Sequence, residues 1–196
     1  QDSQLFVCTH TGLCVAWDFK QDRAIRVTQI DDVEKPKAIA VSRDGSHVVV
    51  ATVAKGKSPK SSIHHWNLKS DDFPKQIHAA KSPISQLCVT RSGFICWVCG
   101  GRAFASRSMS KLSPVKIGDP CNAIGVQLGS DLVSIAKFST KIATWDVVEN
   151  SRVSDMSCQP KGTDKKKRST MTDISLSPDG AFAVSSSGTD GEPATL

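Results

Sequence analysis

The chain has 196 residues, of which 39% are hydrophobic and 22% charged, so it is long enough to bury a sizeable core. Lysine and arginine (25) outnumber aspartate and glutamate (19), and the net charge of +6 favours anionic partners. The apolar runs fall far short of the roughly 18 residues that indicate a membrane span, and no signal peptide is visible. We therefore expect no membrane partner.

The cysteines indicate a reducing compartment. There are seven, an odd number, and most lie inside apolar runs. This favours the buried thiols of an intracellular protein over a disulfide framework. Cys96 and Cys99 have the spacing of half a zinc site, but no second pair stands at ligand distance. We expect no metal and no other cofactor.

The chain opens with three short runs that predict strands. Residues 5–8 are apolar, and a turn at Gly12 leads into a run that ends in Trp17-Asp18. Residues 24–30 alternate apolar and polar side chains, as a strand with one solvated face does. Because the chain begins without Met, we expect a piece of a longer protein, with 1–32 forming a partial unit.

The second unit, 33–80, follows the same order. Arg43-Asp44-Gly45 predicts a tight hairpin after the first strand, since glycine tolerates the positive φ that such turns need. A continuous β-branched run then predicts a strand buried on both faces. The strand that follows ends in Trp66-Asn67, and the Lys-rich insertion before it contains Lys55, Lys57 and Lys60.

Two further units are predicted over 81–118 and 119–158. The first of them is degenerate, with Phe104 where a tryptophan would stand, and the other ends its third strand in Trp145-Asp146. A basic loop over 159–170 then leads to a partial unit over 171–196.

Two sequence features, a tryptophan and a hairpin glycine, recur at similar intervals along the chain. The intervals from Trp17 to Trp66 and from Trp66 to Trp145 are close to one and two units of about 40–45 residues, the length of a propeller blade that ends in Trp-Asp. The glycine of the first hairpin keeps a similar spacing, at Gly45, Gly93, Gly129 and Gly180.

Over nearly its whole length the chain therefore resembles the WD-repeat β-propeller family. The predicted fold is all-β, with about three complete four-stranded blades and partial blades at both ends. No Gly-His dipeptide of the family precedes any blade, so we expect apolar packing to hold the blades together. The residues predicted to form the blade core are Trp17, Trp66, Phe104 and Trp145.

Nothing in the sequence indicates an enzyme. His64-His65 has no evident carboxylate or nucleophile partner, and no Gly-rich phosphate loop is present. We expect no small-molecule substrate. The basic runs have two open interpretations, a solvated linker or contact with RNA phosphate. The residues predicted for such contact are Lys161, Lys165, Lys166, Lys167, Arg168, Lys55, Lys57 and Lys60.

Within the WD-repeat family, the order of features resembles the nucleolar WD-repeat subunit (the WD-repeat protein seventy-five type) of the t-UTP subcomplex of the small-subunit processome. The shared order is a Trp-Asp blade, a blade with a Lys-rich insertion, two eroded blades and a Lys-rich loop before Asp190-Gly191. The resemblance implies a scaffold in ribosome biogenesis and rRNA processing, in the nucleus or nucleolus, with protein subunits and RNA as partners. The alternative is an adaptor or coat subunit that binds protein alone.

Overall fold

The computed structural model describes residues 4–31, 33–54, 60–70, 72–107, 109–118, 120–127, 129–137, 141–157, 169–177 and 183–189. In these ranges the regular elements are all β-strands, and no helix has the length and apolar character needed to cross a bilayer. The strands are β1 (Gln4–Cys8), β2 (Leu13–Asp18), β3 (Arg23–Gln29), β4 (Val33–Val41), β5 (His47–Ala54), β6 (Ser61–Asn67), β7 (Lys75–Ala80), β8 (Ile84–Val89), β9 (Ile95–Cys99), β10 (Arg102–Ser106), β11 (Val115–Gly118), β12 (Cys121–Val126), β13 (Leu132–Lys137), β14 (Lys141–Asp146), β15 (Ser151–Ser157), β16 (Ser169–Leu176) and β17 (Ala183–Thr189).

These strands form five antiparallel sheets in which neighbours along the chain pair with each other. Sheet I contains β1 to β3, sheet II β4 to β7, sheet III β8 to β11, sheet IV β12 to β15 and sheet V β16 to β17. The three middle sheets have four strands each, as the sequence predicts. The first strands of sheets II to V lie next to one another, so each of these sheets contributes one strand to a common inner side.

Glycine closes the hairpin between the first two strands of each middle sheet. The φ angles are +67° at Gly45, +79° at Gly93 and +75° at Gly129, in the left-handed region that a residue with a Cβ adopts only under strain. In sheets II to IV the recurring glycine of the sequence therefore marks one structural position, the tight turn that follows the first strand, and Gly180 lies outside the described residues.

The residue that follows Trp17, Trp66 or Trp145 closes the turn between the third and fourth strands. Asp146 Oδ1 accepts hydrogen bonds from the backbone N–H groups of Val148 (2.9 Å) and Glu149 (3.0 Å). Asp18 makes the same pair of bonds in sheet I, and Asn67 makes one in sheet II. The Trp-Asp dipeptide is thus a local turn former here, since the carboxylate satisfies N–H groups that the ladder leaves open.

Successive sheets pack face to face through apolar clusters. Val48, Val50 and Trp66 of sheet II contact β2 of sheet I, whereas Val49 and Ile63 face sheet III. Because alternate residues of a strand point to opposite faces, β5 is buried on both sides. The described cysteines are free thiols, and Cys88, Cys96 and Cys121 lie inside the cluster between sheets III and IV.

The aromatic residues predicted as blade core differ in burial. Trp66 is 3% exposed and faces sheet I. Phe104 and Trp145 are partly buried, and each faces the sheet that precedes its own. Trp17 is also partly buried, but it points away from sheet II because the alternate residues of β2 make that contact. The largest fully buried side chain among the described residues is Trp97, 1% exposed and stacked on Phe104 with 5.7 Å between ring centroids.

A polar bridge joins the first strands of three sheets. Gln86 of β8 accepts the backbone N–H of Ile124 of β12 at 2.7 Å, and its amide donates to the Asp173 carboxylate of β16 at 2.9 Å. Nearby, the Asn122 amide donates to the Met171 carbonyl oxygen at 2.9 Å. Side-chain hydrogen bonds therefore supplement the apolar contacts on the inner side of the sheets.

Candidate functional site

One end of the sheets, here called the turn face, carries both the first-to-second and the third-to-fourth strand turns. The two kinds of turn contact each other within a sheet. In sheet II the Leu68 N–H donates to the Ser46 carbonyl oxygen at 2.8 Å, and in sheet IV the Val147 N–H donates to that of Asp131 at 3.2 Å. These bonds fix the backbone conformation of the turns on the turn face. The turns bring side chains of separate units together there.

A cavity of about 630 Å³ opens on the turn face where sheets II and III meet. Arg43 and Arg91 occupy the same place in consecutive hairpins, two residues before Gly45 and Gly93, and Arg107 directly follows β10. The repeat of the fold therefore places positive charges from separate turns around one opening. We call this cavity the basic pocket and define it by Arg43, His47, Thr90, Arg91, Ser92 and Arg107.

The three arginines of the basic pocket are exposed, and none is within ion-pair distance of a carboxylate in the described part of the chain. Arg43 also extends toward sheet IV. Its Nη1 lies 2.6 Å from the position that a Cβ at Gly129 would take, so the absence of a side chain there leaves room for the guanidinium. The guanidinium groups are thus left with donors that an added anion could use.

Two carboxylates near the basic pocket are already hydrogen-bonded by other groups. The Ser42 hydroxyl donates to Asp44 at 2.6 Å, and the Lys69 ammonium lies 3.2 Å from the same carboxylate. Hydrogen bonds from Ser42 and Ser46 hold the pKa of Asp44 far below its usual range. The acid therefore remains ionised, and its charge is compensated without the arginines.

Asp131 of sheet IV reaches the same hairpin as Arg91. It accepts the Ser92 backbone N–H and the Ser92 hydroxyl, both at 2.8 Å. Burial raises its pKa, but the hydrogen bonds from Ser92 and Thr90, with the nearby charge of Arg91, outweigh burial and leave the pKa below the ordinary value. This contact fixes the hairpin of sheet III against sheet IV.

His47 lines the basic pocket on the side of sheet II, and it contacts His65 of the same sheet. His47 Nδ1 and His65 Nε2 are 2.9 Å apart, a distance at which one ring donates to the other. Burial lowers the pKa of His65, and the neighbouring His47 lowers it further. His65 is therefore neutral near pH 7, so it can donate or accept a hydrogen bond without adding charge.

An apolar cleft of about 360 Å³ adjoins the basic pocket on the turn face. Val115 and Val148 are 47% and 50% exposed there, although both are aliphatic. Arg107 lines both cavities, and Gly93 of the basic pocket is followed in the chain by Phe94 of the cleft. We define the apolar cleft by Phe94, Arg107, Val115, Ile117, Val147 and Val148.

Most of the lysines predicted to contact phosphate lie outside the described residues. Lys60 is described, and it is exposed in the turn between β5 and β6, where its carbonyl oxygen accepts the Ala54 N–H at 2.9 Å. That turn lies at the opposite end of sheet II from the basic pocket. The residues outside the description are Lys55, Lys57, Lys161, Lys165, Lys166, Lys167 and Arg168.

The basic pocket was not predicted from the sequence, although the sequence contains a signal for it. Arginine stands two residues before the hairpin glycine in two consecutive units, as Arg43-Asp44-Gly45 and Arg91-Ser92-Gly93. Side chains at equivalent positions of neighbouring repeats lie side by side, so this coincidence could have indicated a shared surface.

Chemically, the arrangement of the basic pocket can bind an anion. Within the described ranges there is no group of three metal-ligating side chains.

A ring-like series of antiparallel sheets, packed face to face with their first strands innermost, defines a β-propeller, and the predicted all-β propeller fold is confirmed. The chain is similar to the crystal structure of the β-propeller domain of Cps50 (Swd1) from Myceliophteria thermophila, with a TM-score of 0.70 and 11% sequence identity. The match covers 94% of this chain and 58% of that one, so the chain spans little more than half the length of that propeller domain. No protein-family model and no curated protein sequence matches the chain.

Proposed function

We propose that this chain is part of a non-catalytic scaffold, a propeller that binds other protein subunits of a larger assembly. The observation that carries the proposal is the turn face, where separate units contribute an open basic pocket and an adjoining apolar cleft. A surface of this kind offers charge and apolar area to a partner, and loops on a rigid framework are where binding residues concentrate.

The finer form of the proposal is a ribonucleoprotein scaffold that acts in small-subunit ribosome biogenesis, in the nucleus or nucleolus. It is supported by the net charge of +6 and by the Lys-rich runs around Lys57 and Lys166, since clustered lysines suit a phosphate backbone. The competing form is an adaptor or coat subunit that contacts protein alone, which the apolar cleft favours.

Sedimentation of the tagged full-length protein through a density gradient tests both forms, with lysate divided into untreated and ribonuclease-treated halves. A ribonucleoprotein scaffold sediments with a large particle and moves to lighter fractions after ribonuclease. An adaptor sediments in a large particle that ribonuclease leaves unchanged. Sedimentation as the free protein in both halves would contradict the scaffold proposal itself.

The basic loop provides a direct test of RNA contact. Replacing Lys165, Lys166, Lys167 and Arg168 by Ala should weaken RNA affinity, and the difference should shrink as salt rises, because counterion release supplies much of such binding. RNA affinity of the full-length protein is measured across a salt series. The matched control replaces four exposed lysines elsewhere, Lys20, Lys35, Lys37 and Lys81. Equal affinities and equal salt slopes for wild type and loop variant would make the loop a solvated linker.

A further inference from the structure

The strongest unassigned feature of the molecule is the junction of the basic pocket with the apolar cleft. Arg107 lines both cavities, so a ligand that reaches its guanidinium can extend in either direction. The basic pocket offers positive charge and the apolar cleft offers aliphatic surface, and residues of sheets II, III and IV line the two cavities. An occupant must therefore carry negative charge and apolar surface close together.

The arginines of the basic pocket are available to that occupant. Asp44 lines the same pocket and Asp131 contacts the hairpin of Arg91, and serine hydroxyls and Lys69 already hydrogen-bond these acids. A guanidinium presents its donors in a planar fork that matches a carboxylate or a phosphate. Within the described part of the chain, Arg43, Arg91 and Arg107 thus keep guanidinium donors that no carboxylate uses, and all three line one opening.

The local charge favours an isolated carboxylate as the ligand over the closely spaced phosphates of an RNA strand. Asp44 lines the pocket and Asp131 stands beside Arg91, so two fixed negative charges partly offset the three arginines. RNA brings a phosphate with every nucleotide, and these would approach both acids closely. One or two carboxylates of a peptide can bind the arginines while the acids keep their own partners.

The apolar cleft also favours a peptide. Val115 and Val148 expose about half of their surface at its mouth, and Phe94 and Ile117 line it. Burying an aliphatic or aromatic side chain there is favourable because it removes apolar surface of both molecules from water. The sugar-phosphate backbone of RNA has no comparable aliphatic group.

We propose that the turn face binds a linear peptide segment of a partner protein in which acidic residues stand next to a large apolar residue. The acidic residues bind Arg43, Arg91 and Arg107, and the apolar side chain enters the cleft beside Val115 and Val148. This inference rests on the proposed scaffold function and identifies the class of partner segment that the scaffold holds.

Selection from a random peptide library displayed on phage, with the full chain immobilised, tests the proposal. Peptides that bind the wild type should be enriched in Asp or Glu flanking Leu, Ile, Phe or Trp. Their affinity should fall more than about tenfold for R43A/R91A/R107A, because the variant removes every charge-assisted hydrogen bond from the arginines to the acidic residues. The control variant K20A/K37A/K81A removes the same charge from exposed positions elsewhere and should bind unchanged.

A second variant tests the cleft separately. Val148→Asp should weaken the selected peptides about fivefold or more and leave the fold intact, because the side chain is already half exposed. Circular dichroism of each variant checks the fold. If no acidic peptide is enriched on the wild type over the triple-arginine variant, the proposal is overturned.

Competition between an oligouridine and the selected peptides tests whether the pocket binds RNA instead. If the oligouridine displaces the selected peptides and loses its own affinity in the triple-arginine variant, the pocket is an RNA site and the peptide proposal is also overturned. If the full-length protein still sediments in a large assembly while the selection fails, the scaffold function stands and only the assignment of its ligand is wrong.

Discussion

Trp97 gives the sharpest test of how the sheets pack. It is 1% exposed, its ring stacks on Phe104 at 24° between planes, and His78 lies 5.2 Å away between ring centroids. Replacement of a buried tryptophan by Ala costs about 3–5 kcal/mol, and loss of the stacking partner puts Trp97→Ala in the upper half of that range. For a chain of this size the thermal midpoint should fall by roughly 8–20 °C.

Trp17→Ala is the matched control, because this tryptophan is partly exposed and faces away from sheet II. It should cost no more than about 1–2 kcal/mol, since solvent already reaches the ring. Urea unfolding monitored by circular dichroism measures both losses, and Trp97→Phe keeps a ring at the site should the Ala variant not fold. Equal losses at Trp97 and Trp17 would refute the packing described here.

Two further changes probe the inner strands and the histidines. Gln86→Met keeps the side-chain volume and leaves the Ile124 N–H unpaired, so urea unfolding should show a loss of about 2–3 kcal/mol. Asp173→Ala removes the exposed bond to Gln86 and the local bond from the Ile174 N–H, and it should cost about 1 kcal/mol. Burial lowers the pKa of His64, His65 and His78, so the unfolded chain binds more protons below about pH 6.5. The stability is complete above that pH and is lost as pH falls toward the folded pKa values. The thermal midpoint should therefore fall between about pH 7 and pH 5, and less steeply when all three are replaced by Gln.

The strands and their order could be predicted because each is specified locally. The turn residues Arg43-Asp44-Gly45 and Arg91-Ser92-Gly93 end the first strands of their sheets at Val41 and Val89, as the structure has them. Alternation of apolar and polar residues, or a continuous β-branched run such as that of β5, then indicates how many faces of a strand are buried. Both signals lie within a few consecutive residues.

Burial of the aromatic residues could not be predicted from their place in the repeat. Trp17 and Trp66 stand at the same place in the repeat, but only Trp66 has a sheet in the described part of the chain packed against it. Trp97 lies on a second strand, where the repeat has no tryptophan, and it is more buried than either. Burial is set by the neighbouring sheet, which is distant in sequence.

The basic pocket was missed for a related reason. Arg43 and Arg91 belong to separate units, and Arg107 lies in a different turn from both. Their proximity follows from the stacking of one sheet on the next, which local residue patterns do not contain. The Lys-rich runs could be identified in the sequence because their charges lie close together. The arginines of the pocket are dispersed along the chain.

The bridge through Gln86 affects how the sheets unfold locally. Repeat architectures behave approximately as one-dimensional arrays, in which each unit is stabilised by itself and by its immediate neighbours. Gln86 and Asp173 join sheet III to sheet V, so they add a coupling between second neighbours to that scheme. Fraying of sheet V therefore weakens an interaction of sheet III directly, as well as through sheet IV. The amide hydrogens of β8, β12 and β16 should therefore exchange as one cooperative unit. Their exchange should be more concerted than it would be if each sheet were stabilised only by the sheets next to it.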